Sequence, residues 1–487
     1  MSIKGLKKDE YDVVIIGAGI GGLVCGCYLA KAGMKVLIAE QHYKAGGYCQ
    51  SFTRKGFTFD AGIHALGSCR DGGYINMLLR ELDLFKEITI VRKDPSEAII
   101  TPDFKVDIRN NINDTIEEWQ RIFPSESSNI NSFFKFVNSI DVKDTKTFFS
   151  LYSKLKGRTF LDLLDGNFKD NKPKAILTAL LGNMGLPASQ SSALNSLIFY
   201  REFILDGGYY PIGSTQALTD TILNKFKELG GEIVFSTKVK RILIKDGQAK
   251  GISLDGEYLI KSKYVVSNCD ARQTFLELVG EDHLKQDFIS KLKEMVPSIS
   301  AFIVYLGIDS SRDDNFNKCG TIWYLPDYKT ESFYLKILQG KADYSKGYLL
   351  CTRPTFYDPD LAPTGKHILK LMITTPFMNA EYWEESKKEL RDTLVSIAGK
   401  VVPHLNSRIL VDKIATPLTL YKYTLNFHGA LCGWAAIPRQ AEKISLPQRT
   451  KIKNLLLAGH WVSQPGQGGL PMAVFSGRKA ASIILNK

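Results

Sequence analysis

The chain has 487 residues, 44% hydrophobic and 23% charged, which is enough apolar material for more than one core and excludes disordered, collagen-like and disulfide-scaffold classes. Lys and Arg number 63 against 51 Asp and Glu, a net charge of +12 that favours anionic partners. No nucleic-acid motif accompanies that charge, so anionic lipid or a phosphorylated ligand is expected, and no nucleic acid. The eight cysteines contain no C-x-x-C pair and are too sparse for a disulfide framework. Reduced thiols in a cytoplasmic protein are the expectation. Met1–Glu10 lacks the apolar stretch and cleavage site of a signal peptide.

Tyr11–Ile16 reads as a buried strand, Gly21–Ala32 as a helix closed by Gly33, and Lys35–Ala39 as a second strand. Between strand and helix, Gly17-Ala18-Gly19-Ile20-Gly21-Gly22 fits G-x-G-x-x-G. Gly17 permits the tight turn, Gly19 lets backbone approach a pyrophosphate, and Gly22 allows close helix–strand packing. The helix start adds free N–H groups and a positive dipole end for phosphates. Glu40 ends the second strand, 21 residues past Gly19, where its carboxylate can accept hydrogen bonds from a ribose diol. A glycine-rich turn beside a surface glutamate is the alternative. Five residues separate Glu40 from Gly46-Gly47, and Gly56-Phe57-Thr58-Phe59-Asp60-Ala61-Gly62 follows.

Four stretches carry no Lys, Arg, Asp or Glu: Val13–Ala30, Ala175–Tyr200, Tyr423–Pro438 and Leu455–Gly477. Glycines, prolines and polar residues interrupt them, so they read as walls of a large uncharged cavity and not as membrane spans. Ala175–Tyr200, with Leu177, Leu180, Leu181, Met184, Leu186, Leu194, Leu197, Ile198 and Phe199, is expected to line an apolar tunnel; an ordinary core helix pair is the alternative. The catalytic candidates are His64, either a donor of a hydrogen bond or proton, since histidine titrates near neutrality, or a structural, hydrogen-bonded residue, and the pair Arg201-Glu202, either a proton-handling pair or a structural charge pair. His428 stands beside them as a further histidine with a catalytic or structural role.

Leu218–Leu229 reads as a helix, Glu232–Phe235 as a strand, and Val239–Lys245 with Ala249–Leu254 as a hairpin around Asp246-Gly247. Tyr264–Ser267 and Asn454–Ala458 are further strands, and Pro471–Leu485 a helix. The regions from about 91 to 205 and 298 to 410 are richer in aromatics and read as less regular. Near the end, Leu456-Leu457-Ala458-Gly459-His460-Trp461 leads into Gly466-Gln467-Gly468-Gly469-Leu470-Pro471-Met472-Ala473: strand, glycine-rich turn, helix start. That dipole suits the N1–C2=O edge of a flavin, where negative charge gathers on reduction.

Together these motifs resemble the phytoene desaturase-like branch of the flavin amine oxidase superfamily, and within it the carotenoid isomerases and retinol saturases. Asp206–Leu218 and His428–Trp434 extend the likeness. It implies an α/β protein, a Rossmann-type FAD-binding domain interleaved with a discontinuous α+β substrate domain. Residues 1–90, 206–297 and 411–487 form the former; 91–205 and 298–410 form the latter, which also faces a membrane. Carried over, Gly17, Ala18, Gly19, Gly22, Glu40, Gln41, Gly46 and Gly47 hold the adenosine and pyrophosphate of FAD, and Val239 meets the adenine. Gly459, Leu470, Pro471, Met472 and Ala473 lie along the ribityl chain and flavin. Two departures stand out: Tyr48 where an arginine is common, and His460 where Asp is commoner.

The implied activity is FAD-dependent desaturation, saturation or redox isomerisation of a long apolar polyene or isoprenoid lipid. The alternatives are a prenyl-lipid carrier of the GDP dissociation inhibitor type and an amine oxidase whose aromatic cage includes Trp434 and Trp461. No second G-x-G-x-x-G follows a strand, so the electron partner is unknown: a quinone, oxygen, a small reductant or the substrate itself. A bilayer-resident substrate implies peripheral attachment to an anionic membrane. Phe133, Phe134, Phe136, Phe148, Phe149, Tyr152 and Phe160, interleaved with Lys135, Lys143, Lys146, Lys154, Lys156 and Arg158, are the expected anchor.

Overall fold

A computed structural model of the chain describes residues 8–141, 144–255, 258–309, 319–443, 446–462 and 469–486. Lys143 and the Gly466–Gly468 part of the expected flavin cap lie outside the described residues.

Strand β1 (Glu10–Ile16), helix α1 (Ile20–Lys31) and strand β2 (Val36–Ala39) form a β-α-β unit whose strands pair in parallel. Parallel pairing continues on both sides. β2 takes Glu232–Val234, β1 takes Leu259–Ser267, and that strand takes Leu455–Leu457. All four residues of β2 are buried, as a sheet covered on both faces requires. Val13 and Ile15 pack toward α1 and the helices Thr215–Glu228 and Leu470–Ile484. Val14 and Ile16 face the opposite core, with the hairpin Val239–Lys245/Gln248–Leu254 and the indoles of Trp434 and Trp461. The hairpin turns on Asp246 and Gly247, both at positive φ, as a two-residue turn between twisted strands demands.

The second sheet also has seven strands. Ser300–Asp309 is second from one edge and pairs antiparallel with Lys366–Thr375 over ten residues and with the edge strand Ile409–Ala415 on its other side. Leu349–Thr352, Thr321–Tyr324, Glu97–Ile100 and Lys105–Ile108 complete it. The regions read as less regular are therefore ordered sheet and helix. The reason is physical: nine of the ten residues of Ser300–Asp309 are buried, so the alternation that marks a half-exposed strand is missing. Ile409–Ala415 crosses the domain border expected at 410/411.

Three of the seven expected anchor aromatics are core residues instead. Phe133, Phe134 and Phe160 are at most 1% exposed. Helix Ser127–Asn138 buries Ile130, Phe133, Phe134 and Val137, the i, i+3, i+4, i+7 stripe of an amphipathic helix. Among the described residues, no helix is long and apolar enough to cross a membrane. All eight cysteines are unpaired.

Helix Leu470–Ile484 lies across α1 so closely that a Cβ on Gly477 would sit 2.3 Å from the Gly21 carbonyl oxygen. Gly477→Ala should therefore overpack this crossing and lower stability by about 1–3 kcal/mol. A lowered urea midpoint with unchanged m-value checks it.

Candidate active site

The C-terminal edge of the parallel sheet opens into one elongated cavity. At its first end the backbone of Gly17 turns at φ +94°, and a Cβ on Gly22 would stand 2.2 Å from the Gly17 carbonyl oxygen, so only glycine fits. Glu40, at the end of β2, is buried. Its Oε2 accepts from the Ala18 N–H at 2.6 Å and its Oε1 from the His42 N–H at 2.8 Å. Burial pushes this carboxyl up, opposed by those backbone donors. Gly46, at φ +127°, donates its N–H to the Ala18 carbonyl and ties the second glycine loop to the first.

Of the residues expected at the cofactor, Gly17, Gly19, Glu40, Gln41, Gly46, Gly47 and Val239 line this end, and Gly459 and Leu470 to Ala473 line the stretch beyond. Ala18 and Gly22 lie behind the wall, where they shape the turn. One residue that sequence reasoning missed sits at the centre. Asn268 lines the cavity and donates Nδ2 to the Gly17 carbonyl at 3.3 Å. Cβ atoms on Gly19, Gly21 or Gly459 would come within 2.9, 2.7 and 2.5 Å of its amide. Its signal in the sequence was position: it is the first residue past the buried strand beside β1, where ligands of open α/β sheets collect.

The far end is apolar. Met184, Ile198, Phe199, Phe203, Met372 and Leu431 line it. From the expected tunnel segment Asn183, Met184, Ile198 and Phe199 contribute. Leu177, Leu180, Leu181 and Leu197 are fully buried in the core of the second sheet, because a helix packed on a sheet turns most of its leucines inward.

The expected catalytic groups separate. His64 lines the cavity, and its buried Nε2 has no protein partner. Burial, then the nearby Lys370 ammonium, lower its pKa to about 3, so it stands as a neutral imidazole. Arg201 and Glu202 do not form a pair. Glu202 reaches the cavity from the wide π-helical turn Tyr200–Ile204, a feature that clusters at functional sites. Its carboxylate is held by Arg70 at 2.6 and 2.9 Å and by the Ser68 hydroxyl at 2.6 Å. Arg70 also reaches Asp206 at 2.9 Å. Arg201 is outside the lining, with its Nε buried and unpartnered. Successive helical residues diverge by roughly 100°, so a sequence neighbour is a poor ion-pair partner.

His428 is exposed and stacks between Phe377 and Phe427, away from the cavity. Trp434 and Trp461 are buried behind it. Trp434 donates to the Trp461 carbonyl and Trp461 to Asn426 Oδ1, so neither contributes to a cage. Tyr48 lines the cavity and donates to the Ala430 carbonyl at 2.9 Å, joining the second glycine loop to the 429–430 turn.

The sequence profile of flavin containing amine oxidoreductases matches residues 20–485. The chain belongs to that family. Prolycopene isomerase 1, chloroplastic, of an Oncidium hybrid cultivar is 26% identical over 99% of this chain and 86% of its own length. All-trans-retinol 13,14-reductase of Danio rerio is 23% identical over 98% and 86%. Among solved structures, an oxidoreductase from Methanosarcina mazei superposes with a TM-score of 0.68 at 18% identity, covering 98% of this chain and 100% of that one. Cyclohexylamine oxidase from Brevibacterium oxydans gives 0.66 at 16%, covering 98% and 99%. These last two establish a shared fold.

This flavin amine oxidoreductase is an FAD-dependent enzyme. Its residues fit the cofactor: turns that tolerate no Cβ, a buried carboxylate one strand over, and the start of helix Leu470–Ile484 presented by Gly469 at φ +94°. Glu40→Ala should weaken FAD binding by about 1.5–3 kcal/mol, the value of hydrogen bonds to a charged group, or roughly 10- to 150-fold. Asn268→Leu should weaken it as well, since the amide slot is closed on three sides by glycine backbone. Titrating apoprotein with FAD while following flavin fluorescence measures both; an unchanged affinity in Glu40→Ala would displace the ribose from this position.

Proposed function

We propose that this enzyme transfers redox equivalents to or from the conjugated chain of a long polyene or isoprenoid lipid, while resting on an anionic membrane surface. The observation that carries the reading is the far end of the cavity, which is apolar and offers no free charge to a substrate. Glu202 is neutralised by Arg70 and Ser68, and His64 is neutral. A charged or strongly hydrated substrate would leave its water there without compensation, whereas a polyene has none to lose. The relatives named prolycopene isomerase and all-trans-retinol 13,14-reductase point the same way. An amine oxidase is disfavoured because Trp434 and Trp461 lie outside the lining.

FAD, when bound, supplies the hydride chemistry. The chain's own part is to hold and to exclude. The residues proposed to bind the cofactor are those carried over from the family pattern, from Gly17 to Ala473. The proposed catalytic residue is His64, whose imidazole can hold a proton at one nitrogen and accept at the other. Glu202 serves the cavity wall through its bond to Arg70, and Arg201 is withdrawn from it.

Membrane contact is supported by what remains of the anchor. Phe136 and Phe149 are 40% and 64% exposed, and Lys135, Lys146, Lys154, Lys156 and Arg158 are exposed around them. Each cation near an anionic surface contributes about 1 kcal/mol. The chain should sediment with anionic vesicles and not with neutral ones, release as salt rises, and weaken stepwise in Lys154→Glu and Lys156→Glu. Binding indifferent to lipid charge, salt and both substitutions would remove the membrane from this reading.

Turnover is tested by expressing the chain in carotenoid- and retinoid-producing cells and analysing their lipids for isomerised, saturated or desaturated products. Ile198→Asp, which puts a charge into the apolar end, should lower polyene turnover by roughly tenfold or more while flavin absorbance stays. Full turnover by a folded, yellow variant would overturn the placement of the polyene.

A further inference from the structure

Lys370 is 3% exposed, on the strand Lys366–Thr375 of the second sheet. Among the described residues, no carboxylate bonds to it. Its Nζ donates instead to two successive backbone carbonyls, Gly62 at 3.0 Å and Ile63 at 2.9 Å. Directly opposite in the antiparallel register stands Tyr305, and its hydroxyl donates to the carbonyl just before, that of Ala61. A single cross-strand pair thus grips three consecutive carbonyls, and the next residue in the chain is His64. Two positions on from Lys370, on the same face of the strand, Met372 lines the cavity. Tyr48 closes the loop from the other side, within 3.0 Å of where a Cβ on Gly62 would be.

A buried ammonium is costly without an ion partner. Asp60 is the acid whose charge it feels, but that carboxylate already accepts from the Tyr210 hydroxyl and from the N–H and hydroxyl of Thr215. An apolar residue would fill the space more cheaply, so structure alone gives little reason for a lysine here.

We propose that Lys370 is a positioning residue for His64: with Tyr305 it fixes the Ala61–Ile63 backbone and so sets the place and the tautomer of the imidazole at the cavity wall. Burial draws Lys370 down to about 8, which leaves it mostly charged at neutral pH. Four other titratable groups that line the cavity do not compete for this role. Glu202 is bound to Arg70 and Ser68, Tyr48 and Cys432 are pushed up by burial to about 12 and about 11, and His460 is drawn down by burial to about 4. The role of His64 in turnover rests on the polyene reading; its coupling to Lys370 does not.

The test uses FAD-loaded protein with 15N-labelled histidine rings, the His64 signals being assigned by their loss in His64→Gln. In the wild type the ring should hold a single neutral form from about pH 8 to about pH 5.5. In Lys370→Met, with flavin absorbance retained, the His64 signals should divide between two tautomers. Lys370→Gln, which keeps a donor for one of the two carbonyls, should divide them less. With a polyene that the wild type turns over, Lys370→Met should lower kcat by roughly tenfold with KM nearly unchanged, and should have no further effect when His64 is already Gln. Unchanged ring signals in both Lys370 variants, or loss of FAD from both, would overturn the proposal. Altered ring signals in a protein that converts no polyene would sustain it and sink the substrate reading instead.

Discussion

Everything at this site depends on how closely four pieces of backbone approach one another at the C-terminal edge of the parallel sheet. The turn after β1, the start of α1, the residue after Leu259–Ser267 and the turn after Leu455–Leu457 meet around the Asn268 side chain, at separations that leave no room for a Cβ on Gly19, Gly21, Gly22 or Gly459. Contacts of this kind cannot relax by rotamer change, because the opposing atoms are main chain or a wedged amide. The glycine-lined pocket is thus a by-product of strand order: only where β1 and its parallel neighbour end side by side do the helix start and the two turns converge.

The second sheet closes the other end by different means. It presents a strand face, and the stretch after Ile409–Ala415 adds Asn426, Leu431 and Cys432. Met372 lines the wall, Lys370 and Tyr305 hold the loop that carries His64, and the segment that ends in the π-helical turn supplies Phe199, Glu202 and Phe203. Arg70, from the stretch after β2, bonds Glu202 and Asp206 at once and so pins the middle of that turn and the chain just past it to the dinucleotide-binding part. Polar atoms are therefore abundant near the cavity, yet nearly all are already partnered, which is how an apolar chamber is made from a wall that is not wholly apolar.

Much of the first sheet was legible in the sequence. β1, α1, β2, the hairpin and the last helix fall within a few residues of expectation, because a glycine-rich turn between an apolar run and a helix is a strong local signal. The second sheet was not, since strands buried on both faces lose their alternation. The site divides the same way. The glycines and Glu40 belong to a contiguous motif. Asn268, Arg70 and Lys370 each act on residues far along the chain, and nothing in their neighbourhood of sequence announces it. Arg201 and Glu202, neighbours in sequence, part in space, Glu202 lining the cavity and bonding Arg70 while Arg201 does not line it.

The order in which the chain threads its two sheets bears on how the enzyme comes into being. The first glycine turn depends on segments more than four hundred residues away: the strand Leu455–Leu457, paired with Leu259–Ser267, and the helix Leu470–Ile484, whose Gly477 meets Gly21. In a chain made from its N-terminal side, the sheet edge and the helix face that receive them stay uncovered until those segments are made, and until then they expose apolar surface.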